Sequence, residues 1–382
     1  MELDLGEIRK NIDLTDDEIA KLFWHRMELC ENVARYKMLH SKNVRDSSRE
    51  QAIIDRLTDG RNEADSRSLS LLYNTIFEIS RARQSSMMGT SSKLFSDVVD
   101  AYEKNADFPL SASVACQGVE GAYSQIACKK IFKDPKILYF ENFESVFKSV
   151  ESGLCRYGVL PFENSIHGSV TEVYDMLSKT DLKVIKSVKL PIHHALVAKK
   201  GTSLSDITEI FSHRQAIGQC SEFLSANKKI KVTVSENTAA AAKMVSQSER
   251  KDIAAISSEN CAELYDLDIL KKDLQNSSVN FTMFYCVSKE LEVYRPINKA
   301  AFMFNIENKA GALFSVLAQF AAMGVNLTKI ESRPISGRDF EFMFYAEADT
   351  DGLDKNMLAL FSELEKSLAF FKFIGVYEEI KI

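Results

Sequence analysis

The sequence predicts a multidomain protein with three units: an all-α helical unit over residues 1–90, an α/β unit over residues 111–291 and an α+β unit over residues 298–378. Three observations support this division. The first unit begins with a helical seam without proline, short β-rich runs alternate with helical patterns in the second, and the third has a βαββαβ order. Residues 91–110, which are polar and contain the first proline, are predicted to form a linker with some helix.

Length and composition exclude several classes of protein. The chain has 382 residues, of which 45% are hydrophobic and 27% are charged, as expected for a globular protein of two or three domains. Its net charge of −6, without a local basic run, argues against nucleic-acid binding. No apolar run approaches the roughly eighteen residues that cross a membrane, and the first residues lack the apolar core of a signal peptide. We therefore expect a cytoplasmic protein without membrane or nucleic-acid partners.

The seven cysteines are scattered along the chain and none of them forms a CxxC pair. This pattern is typical of a protein in a reducing compartment and gives no sign of structural zinc. We expect no metal and no cofactor.

The first unit begins with a long helix that carries cations where apolar residues are expected. Positions spaced alternately four and three residues apart run over residues 5–37 without a proline, which predicts one helix of roughly thirty-five residues. Arg9, Arg26 and Lys37 occupy this seam, and because burying unpaired cations is costly, an anionic ligand is expected there. Arg26 and Lys37, about 16 Å apart along the axis, can converge on one ligand. Arg9 lies ~25 Å below Arg26 and could complete such a site only on another, antiparallel copy, so the spacing predicts a dimer with shared sites.

The next two helices of this unit supply further polar groups. Three charged side chains share the first turn of a helix that starts near residues 46–48: Asp46, Arg49 and Glu50. In the third helix a core row of apolar residues ends in Ser80 and Gln84, which is unusual without a ligand. Other interpretations stay open: Ser47 and Glu50 fit a capping box, the two cations could reach solvent, and Ser80 and Gln84 could be exposed.

Residues 8–84 resemble the all-helical chorismate mutases, in which chorismate rearranges to prephenate without a covalent intermediate. The resemblance implies these substrate-binding residues: Arg9 of the partner chain, Arg26, Lys37, Asp46, Arg49, Glu50, Ser80 and Gln84. Among them Lys37, Gln84 and Glu50 are expected to act in catalysis. The residue types suit this chemistry, because two substrate carboxylates need arginines and the charge on the breaking ether oxygen needs donors such as Lys37 and Gln84.

The middle unit is predicted to contain a largely parallel or mixed sheet. Its β-rich runs are residues 112–118, 137–140, 157–162, 183–200, 207–213, 231–235 and 253–258, with helices such as 144–153 and 238–247 between them. Polar residues follow several of these strands, and ligands of open α/β sheets bind at the carboxyl ends of strands. One such stretch, with Gly118 and Gly121, opens a helix and would direct backbone N–H groups towards an anion, although taken alone it is better explained by a plain tight turn.

Four motifs of this unit, GAYSQ, PFENS..G, SH.QA..QC and NFT.F, resemble prephenate dehydratase over about residues 111–290. The resemblance implies two α/β lobes that close on prephenate in the manner of periplasmic binding proteins. It also implies these substrate-binding residues: Ser124, Glu163, Asn164, Ser165, Gln215, Gln219, Thr282 and Phe284. Thr282 would supply the catalytic hydroxyl, and a neutral donor suffices because loss of carboxylate and hydroxide yields an aromatic ring. Without the resemblance, Thr282 would be interpreted as an ordinary strand threonine.

The chain departs from the dehydratase pattern at two positions. Met283 stands where the family has arginine after the essential threonine, and Arg214 stands where it has proline. We hypothesise that Arg214 partly replaces the lost charge. The departure leaves open a weak dehydratase, a preference for arogenate, a lobe that only senses a ligand, or a chorismate mutase whose second half serves regulation.

The last unit reads βαββαβ, with strands at residues 300–307, 326–335, 339–348 and 371–377 and helices at 311–323 and 353–368. Its GALF and ESRP motifs resemble an ACT regulatory domain of the phenylalanine-responsive kind, an α+β ferredoxin-like fold. The resemblance implies an allosteric L-phenylalanine site at Gly311, Ala312, Leu313, Glu331, Ser332 and Arg333, since a helix N-terminus can accept a carboxylate. A ferredoxin-like domain that merely dimerises is the alternative. Together the three resemblances imply a bifunctional enzyme of phenylalanine biosynthesis, a homodimer or higher homo-oligomer that binds chorismate, prephenate and L-phenylalanine.

Overall fold

The computed structural model describes residues 4–40, 42, 44–88, 92–104, 107–335 and 341–382. The chain divides into two compact units, Met1–Val99 with Ala301–Phe373, and Asp100–Ala300 with Ile374–Ile382. The predicted α+β section therefore belongs largely to the same compact unit as the N-terminal helices. Among the helices of the described residues, none is both long and apolar enough to cross a membrane.

The first compact unit begins with three helices, α1 (Leu5–Leu39), α2 (Ser47–Thr58) and α3 (Glu63–Met88). The single 35-residue helix predicted from the proline-free seam is confirmed, and the Asp4 carboxylate caps it by accepting from the Gly6 N–H at 2.8 Å. The buried side chains of Met27 and Ala34 lie on the part of α1 that packs against α3.

Helix α2 begins where the sequence predicts, but its cap differs from the capping-box interpretation. Asp46, not Ser47, is the N-cap, and its carboxylate accepts from the Arg49 N–H at 3.0 Å. Glu50 therefore does not form a capping box, and its carboxylate pairs with a side chain of another helix. Helix α4 (Lys93–Lys104) follows within the predicted linker, of which residues 91, 105 and 106 lie outside the described residues.

The second compact unit alternates strands and helices. Its strands are β1 (Ser111–Gln117), β2 (Asp134–Phe140), β3 (Tyr157–Asn164), β4 (Gly168–Ser169), β5 (Lys183–Pro191), β6 (Ala195–Lys199), β7 (Glu209–Ser212), β8 (Lys231–Val234), β9 (Ile253–Ser257), β10 (Leu267–Lys271) and β11 (Phe281–Ser288). Its helices are α5 (Tyr123–Ile131), α6 (Phe143–Glu151), α7 (Thr171–Lys179), α8 (Arg214–Gln219), α9 (Ser221–Ala226), α10 (Thr238–Gln247) and α11 (Glu259–Leu264), with a 3₁₀ turn at Leu204–Asp206.

These strands form two mixed sheets with separate apolar cores, which gives the unit two lobes. The first has the order β5-β11-β3-β1-β2, in which β1 runs parallel to β2 and β3 while β11 is antiparallel to β3 and β5. The second has the order β10-β6-β9-β7-β8, in which β7 is parallel to β8 and β9. The prediction of a mixed sheet is confirmed, although the described strands of this unit lie in two sheets.

Two strand predictions need correction. The run 183–200 is not one strand: β5 and β6 lie in different sheets, and residues 192–194 carry the chain from one lobe to the other. Strand β10 is not among the runs predicted from the sequence, because the charged residues Asp268 and Lys271 lower its β-propensity. As an edge strand it tolerates these charges.

The last section contains β12 (Lys299–Asn305), α12 (Ala312–Ala322), β13 (Leu327–Pro334), β14 (Phe342–Asp349), α13 (Lys355–Ser367) and β15 (Phe370–Lys381). Its strands have the order β13-β14-β12-β15, which in chain order is the 2-3-1-4 arrangement of a ferredoxin-like sheet. The predicted βαββαβ order is confirmed, with the first two residues of the predicted strand 339–348 outside the described residues. Within the first compact unit, α12 and α13 pack against α3.

Candidate active sites

The first compact unit brings two seam cations together with two polar residues of α3. The Arg26 guanidinium donates to Ser80 Oγ at 2.6 Å, and the Lys37 ammonium donates to Gln84 Oε1 at 3.2 Å. Ser80 and Gln84 are only 4% and 6% exposed, so the interpretation that they face solvent is wrong. The Ser80 hydroxyl in turn donates to the Ile76 carbonyl at 2.6 Å, so the donors available to an anionic ligand are those of Arg26, Lys37 and the Gln84 amide.

Lys37 is surrounded by acceptors. Its ammonium also donates to the Val44 carbonyl. Burial lowers the pKa of Lys37, and the nearby Asp46 and Glu50 carboxylates oppose this shift. Hydrogen bonds from the Arg49 N–H and the Ser48 hydroxyl lower the pKa of Asp46 in turn. The cluster therefore holds an ammonium that can lose its proton more easily than an exposed lysine.

Glu50 is held by a residue that the sequence patterns do not reveal. The Arg81 guanidinium of α3 pairs with Glu50 of α2 and, at 2.5 Å, with Glu78 one turn earlier on α3. The Arg81 side chain is 11% exposed and that of Glu78 is 2% exposed. Removing one partner of such a buried pair costs about 3–5 kcal/mol. Because Glu50 and Arg81 lie on different helices, no spacing along either helix predicts this contact.

Two predicted residues of this site stand apart from the cluster. Arg9 and Arg49 are exposed, whereas Arg26, Lys37 and Glu50 are partly buried. The N-terminal half of α1 also exposes large apolar side chains. On one face of the helix they include Leu5, Ile8, Ile12, Ile19 and Leu22. An apolar surface of this length on one helix marks an interaction site.

The second compact unit contains a cleft with a volume of about 620 Å³. Residues from both lobes line it, including the ends of β1 and β3 and the segment that joins β5 to β6. Of the residues predicted from the sequence, six line it: Ser124, Asn164, Gln215, Gln219, Thr282 and Phe284. A concave site between two lobes is the usual place for a small ligand.

Residues at the N-termini of several helices line this cleft. Its lining includes Tyr123 and Ser124 of α5, Thr171 of α7, and Thr238 of α10, whose N-cap is Asn237. Unpaired N–H groups and the helix dipole favour an anion at each of these places. Among the described residues that line the cleft there is no lysine or arginine. The arrangement therefore suits an anion that is bound by backbone and neutral donors.

The turn before α5 depends on its glycines. Gly118 and Gly121 have φ of +105° and +90°, values that other residues rarely adopt. A Cβ on Gly121 would lie 2.8 Å from the Cys261 sulfur. The turn is thus tight, and the residues that follow it line the cleft.

Thr282 lies in β11, directly beside Asn164 of β3 in the antiparallel register. The Asn164 side-chain amide donates to Thr282 Oγ1 at 3.1 Å and to the Asn280 side-chain oxygen at 2.9 Å. Because Thr282 Oγ1 accepts this bond, its own hydroxyl hydrogen can be donated into the cleft. The pair thus presents a neutral, oriented proton donor.

Gln219 is oriented by a network that includes two histidines. Its side-chain oxygen accepts from the Asn280 amide at 3.1 Å and lies 2.7 Å from His194 Nε2, while its NH₂ group lies 3.2 Å from His167 Nδ1. His194 is 3% exposed, and burial lowers its pKa, so it is neutral and donates through Nε2. Both His167 and His194 line the cleft, although neither was predicted from the sequence to be a site residue.

Two predicted dehydratase residues do not line the cleft. Ser165 instead ties the turn after β3 to β11, because its hydroxyl accepts from the Phe281 N–H at 2.9 Å. Glu163 precedes Asn164 on β3, and consecutive strand residues point to opposite faces. These two positions therefore support the cleft without facing it.

The charge hypothesis for Arg214 is not supported by the geometry. Met283 lies between Thr282 and Phe284, which both line the cleft, so its side chain points to the other face of the sheet. Arg214 is exposed and does not line the cleft, although the residues on either side of it do. A missing arginine at position 283 therefore removes no cation from the cleft surface.

The residues predicted for an effector site lie on two elements of the first compact unit. Gly311, with φ of +83°, is the N-cap of α12, and Ala312 and Leu313 form its first turn. Glu331, Ser332 and Arg333 lie in β13, the edge strand of its sheet. Within the described residues, no group of three or more His, Cys, Asp or Glu side chains is arranged to hold a metal ion.

Comparison with known proteins gives two family matches. The model described as chorismate mutase type II matches residues 8–85, and the model described as prephenate dehydratase matches residues 114–292. The first range contains the Arg26 and Lys37 cluster, and the second contains the cleft with Thr282.

Individual relatives extend these matches. The bifunctional chorismate mutase/prephenate dehydratase of Escherichia coli K12 is 30% identical over 378 residues, which cover 97% of this chain and 95% of that protein. Arogenate dehydratase/prephenate dehydratase 2 of Arabidopsis thaliana is 35% identical over 275 residues, covering 69% of this chain and 72% of that protein. The structure of prephenate dehydratase from Arthrobacter aurescens in complex with L-Phe has 27% identity and a TM-score of 0.64, covering 70% of this chain and 90% of that one.

Proposed function

The chain belongs to the family of bifunctional chorismate mutase/prephenate dehydratases, and we propose which of its residues carry each reaction. The enzyme rearranges chorismate to prephenate and converts prephenate to phenylpyruvate, carbon dioxide and water. The observation that carries this assignment is the occurrence of both sites in one chain, the Arg26–Ser80 and Lys37–Gln84 pairs and the Asn164–Thr282 pair.

The mutase step needs positioning and charge stabilisation rather than a nucleophile. Arg26, with Arg9 of a second copy, holds the two carboxylates of chorismate in the compact conformer, which supplies much of the acceleration through restricted motion. Lys37 and Gln84 donate to the ether oxygen as its bond breaks and negative charge develops. Glu50 and Ser80 hold the other polar groups of chorismate in place. The bonds that Ser80 and Gln84 already form to the two cations keep these cations in place before the substrate arrives.

The dehydratase step needs an anion site and a proton donor. The N-termini of α5, α7 and α10 hold the carboxylates of prephenate. The ring carboxylate leaves as carbon dioxide, its bonding electrons enter the ring, and the C–O bond to the hydroxyl breaks. Thr282 gives its proton to the departing oxygen, which leaves as water, and regains a proton from solvent. Asn164 and Gln219 keep the donor and the neighbouring amides oriented.

Feeding chorismate to the purified full chain tests the assignment directly. Phenylpyruvate should form after prephenate, and accumulation of prephenate without phenylpyruvate would contradict the bifunctional assignment. A parallel reaction with arogenate is warranted because the Arabidopsis relative is named for both substrates. Turnover of arogenate in preference to prephenate would reassign the substrate of the second site.

The mutase site needs a second copy of the chain. The exposed apolar surface on the N-terminal half of α1 would be covered by an antiparallel α1, and this packing would bring Arg9 of one copy towards Arg26 and Lys37 of the other. We therefore expect a homodimer, or a higher oligomer built from it, with shared mutase sites.

Subunit complementation measures this sharing. Arg9→Ala and Arg26→Ala should each abolish most mutase activity, because each removes one cation from every site. Mixing the two variants under conditions that exchange subunits should restore about a quarter of the wild-type rate, since half of the dimers then contain one intact site. An unchanged rate after exchange, verified by mass spectrometry of the mixed dimers, would show that Arg9 acts within its own chain.

The ferredoxin-like section is proposed to be an ACT domain that binds L-phenylalanine and lowers dehydratase activity. The N-terminus of α12 would accept the effector carboxylate, and the Arthrobacter dehydratase, which was solved in complex with L-Phe, supports this choice of ligand. Gly311 has an open surrounding but a positive φ, so a side chain there strains the turn. Gly311→Val should therefore reduce inhibition by added L-phenylalanine severalfold, while Gly352→Val, at another open glycine of positive φ in the same section, serves as the control. A wild-type dehydratase rate that is flat against L-phenylalanine would contradict the regulatory role.

A further inference from the structure

Arg81 joins two carboxylates that would otherwise repel each other. It pairs with Glu50 and Glu78, and its side chain is 11% exposed. Burial alone would lower the pKa of Arg81, but Glu78 and Glu50 outweigh burial and raise it. The guanidinium fork can bind one carboxylate with each of two nitrogens, which a lysine ammonium cannot reproduce in the same geometry. Glu50 is thus fixed from α3, the helix that also supplies Ser80 and Gln84.

The contacts continue from Glu78 into the ferredoxin-like section. The Ser315 hydroxyl of α12 donates to the same Glu78 oxygen that pairs with Arg81. The Ser315 N–H in turn donates to the Gly311 carbonyl at 2.9 Å, in the first turn of the helix proposed to bind the effector. An unbroken series of hydrogen bonds and ion pairs therefore runs from Gly311 to Glu50 within the first compact unit.

This series borders free space. A cavity of about 150 Å³ is lined by Glu78, Arg81 and Ser315, among others. The second carboxylate oxygen of Glu78 is buried and has no hydrogen-bond partner among the described residues. Glu78 therefore depends on Arg81 and Ser315 for its hydrogen bonds.

We propose that Arg81 is a positioning residue of the mutase reaction, which fixes Glu50 and connects it through Glu78 and Ser315 to the first turn of α12. The proposal rests on the mutase function of the helical cluster. Arg81 thus affects the substrate only through Glu50. An effector bound at α12 could influence the mutase site through the same series of contacts.

Kinetics of Arg81 variants in the full chain test the positioning role. Arg81→Met removes the charge at similar length and should lower mutase kcat by about 10–100-fold with a smaller change in KM, because Glu50 loses its orientation rather than the substrate losing its carboxylate contacts. Arg81→Lys should recover part of the rate. Glu78→Gln should lessen the effect of Arg81→Met in the double variant, because it relieves the repulsion between two unpaired carboxylates. Circular dichroism of the same samples reports whether the helices of the first compact unit are folded, and dehydratase turnover of supplied prephenate reports on the second unit.

The outcomes separate this proposal from the function on which it rests. Wild-type protein without chorismate turnover would overturn the mutase function itself. An Arg81→Met variant with wild-type mutase constants would overturn only the positioning role. If Arg81→Met loses its helical circular dichroism, Arg81→Lys carries the test. Wild-type mutase constants in that variant, together with additivity between Glu78→Gln and Arg81→Lys, would then overturn the role.

Ser315→Ala tests the connection to α12. The proposal predicts that L-phenylalanine lowers the wild-type mutase rate and that Ser315→Ala weakens this response severalfold, since the hydroxyl is the contact between α12 and Glu78. Ser246→Ala, which removes an exposed helical hydroxyl bonded only within its own turn, is the matched control. An identical mutase response to L-phenylalanine in wild type and Ser315→Ala would refute the connection.

Discussion

Replacing Thr282 with valine should lower the prephenate dehydratase rate of this protein by about 10²–10⁴-fold, the usual contribution of a positioned proton donor. Valine has nearly the shape of threonine, so the change removes the hydroxyl and little else. The Asn164 amide, which donates to Thr282 Oγ1 at 3.1 Å, would lose that acceptor but keep the Asn280 and Phe281 oxygens. The loss should therefore fall on the chemical step and appear mainly in kcat.

Two controls accompany this measurement. Thr282→Ser keeps the hydroxyl and should retain most of the activity, while the chorismate mutase rate of the same Thr282→Val sample should equal that of wild type because the mutase residues lie in the other compact unit. Met283→Leu provides a matched change at the neighbouring position, which faces away from the cleft. Dehydratase activity that survives in Thr282→Val would move the proton donor to another cleft residue.

Sequence patterns predicted those parts of the fold that depend on local spacing. The 35-residue α1 and the βαββαβ section were both predictable, because helical and strand periodicity are set by neighbouring residues. The division of residues 183–200 into two strands was not, since both halves are equally β-rich and only tertiary pairing assigns β5 and β6 to different sheets. The charged edge strand β10 was not predicted, because its pairing with a neighbouring strand, rather than its composition, makes it a strand.

The candidate sites show the same limit. Arg26 belongs to the seam of α1 and Ser80 to the row of α3, and their pairing follows because these two patterns must face each other. The Glu50–Arg81 pair joins α2 to α3 at positions that no common sequence periodicity relates. His194 could not be singled out from the sequence, because its role depends on burial next to Gln219. The geometry does not support the hypothesis for Arg214, because side chains alternate along the strand and the side chain at position 283 points away from the cleft. The motif alone does not reveal this direction.

Lys37 is the residue on which the mutase reaction should depend most. Lys37→Met removes the cation that we propose to face the breaking ether oxygen, and it should lower mutase kcat by about 10²–10³-fold, while dehydratase turnover of prephenate stays at the wild-type rate. Gln84 would lose its cationic partner but remain buried. Lys37→Arg keeps the charge, yet its planar guanidinium does not fit the geometry of one ammonium between Val44 and Gln84, so only partial recovery is expected.

The pH dependence separates this role from a structural one. Burial lowers the pKa of Lys37 from its ordinary value of 10.5, with Asp46 and Glu50 opposing the shift. The protonated form is the one that donates to the ether oxygen, so wild-type mutase kcat/KM should fall as the pH rises through this lowered pKa, before 10.5 is reached. Lys37→Arg, whose guanidinium stays charged, should have lower activity but no such alkaline decline. If mutase kcat/KM declines identically at high pH in the two proteins, the titrating group is not Lys37. If dehydratase activity declines as well, the cause is unfolding rather than loss of the Lys37 proton.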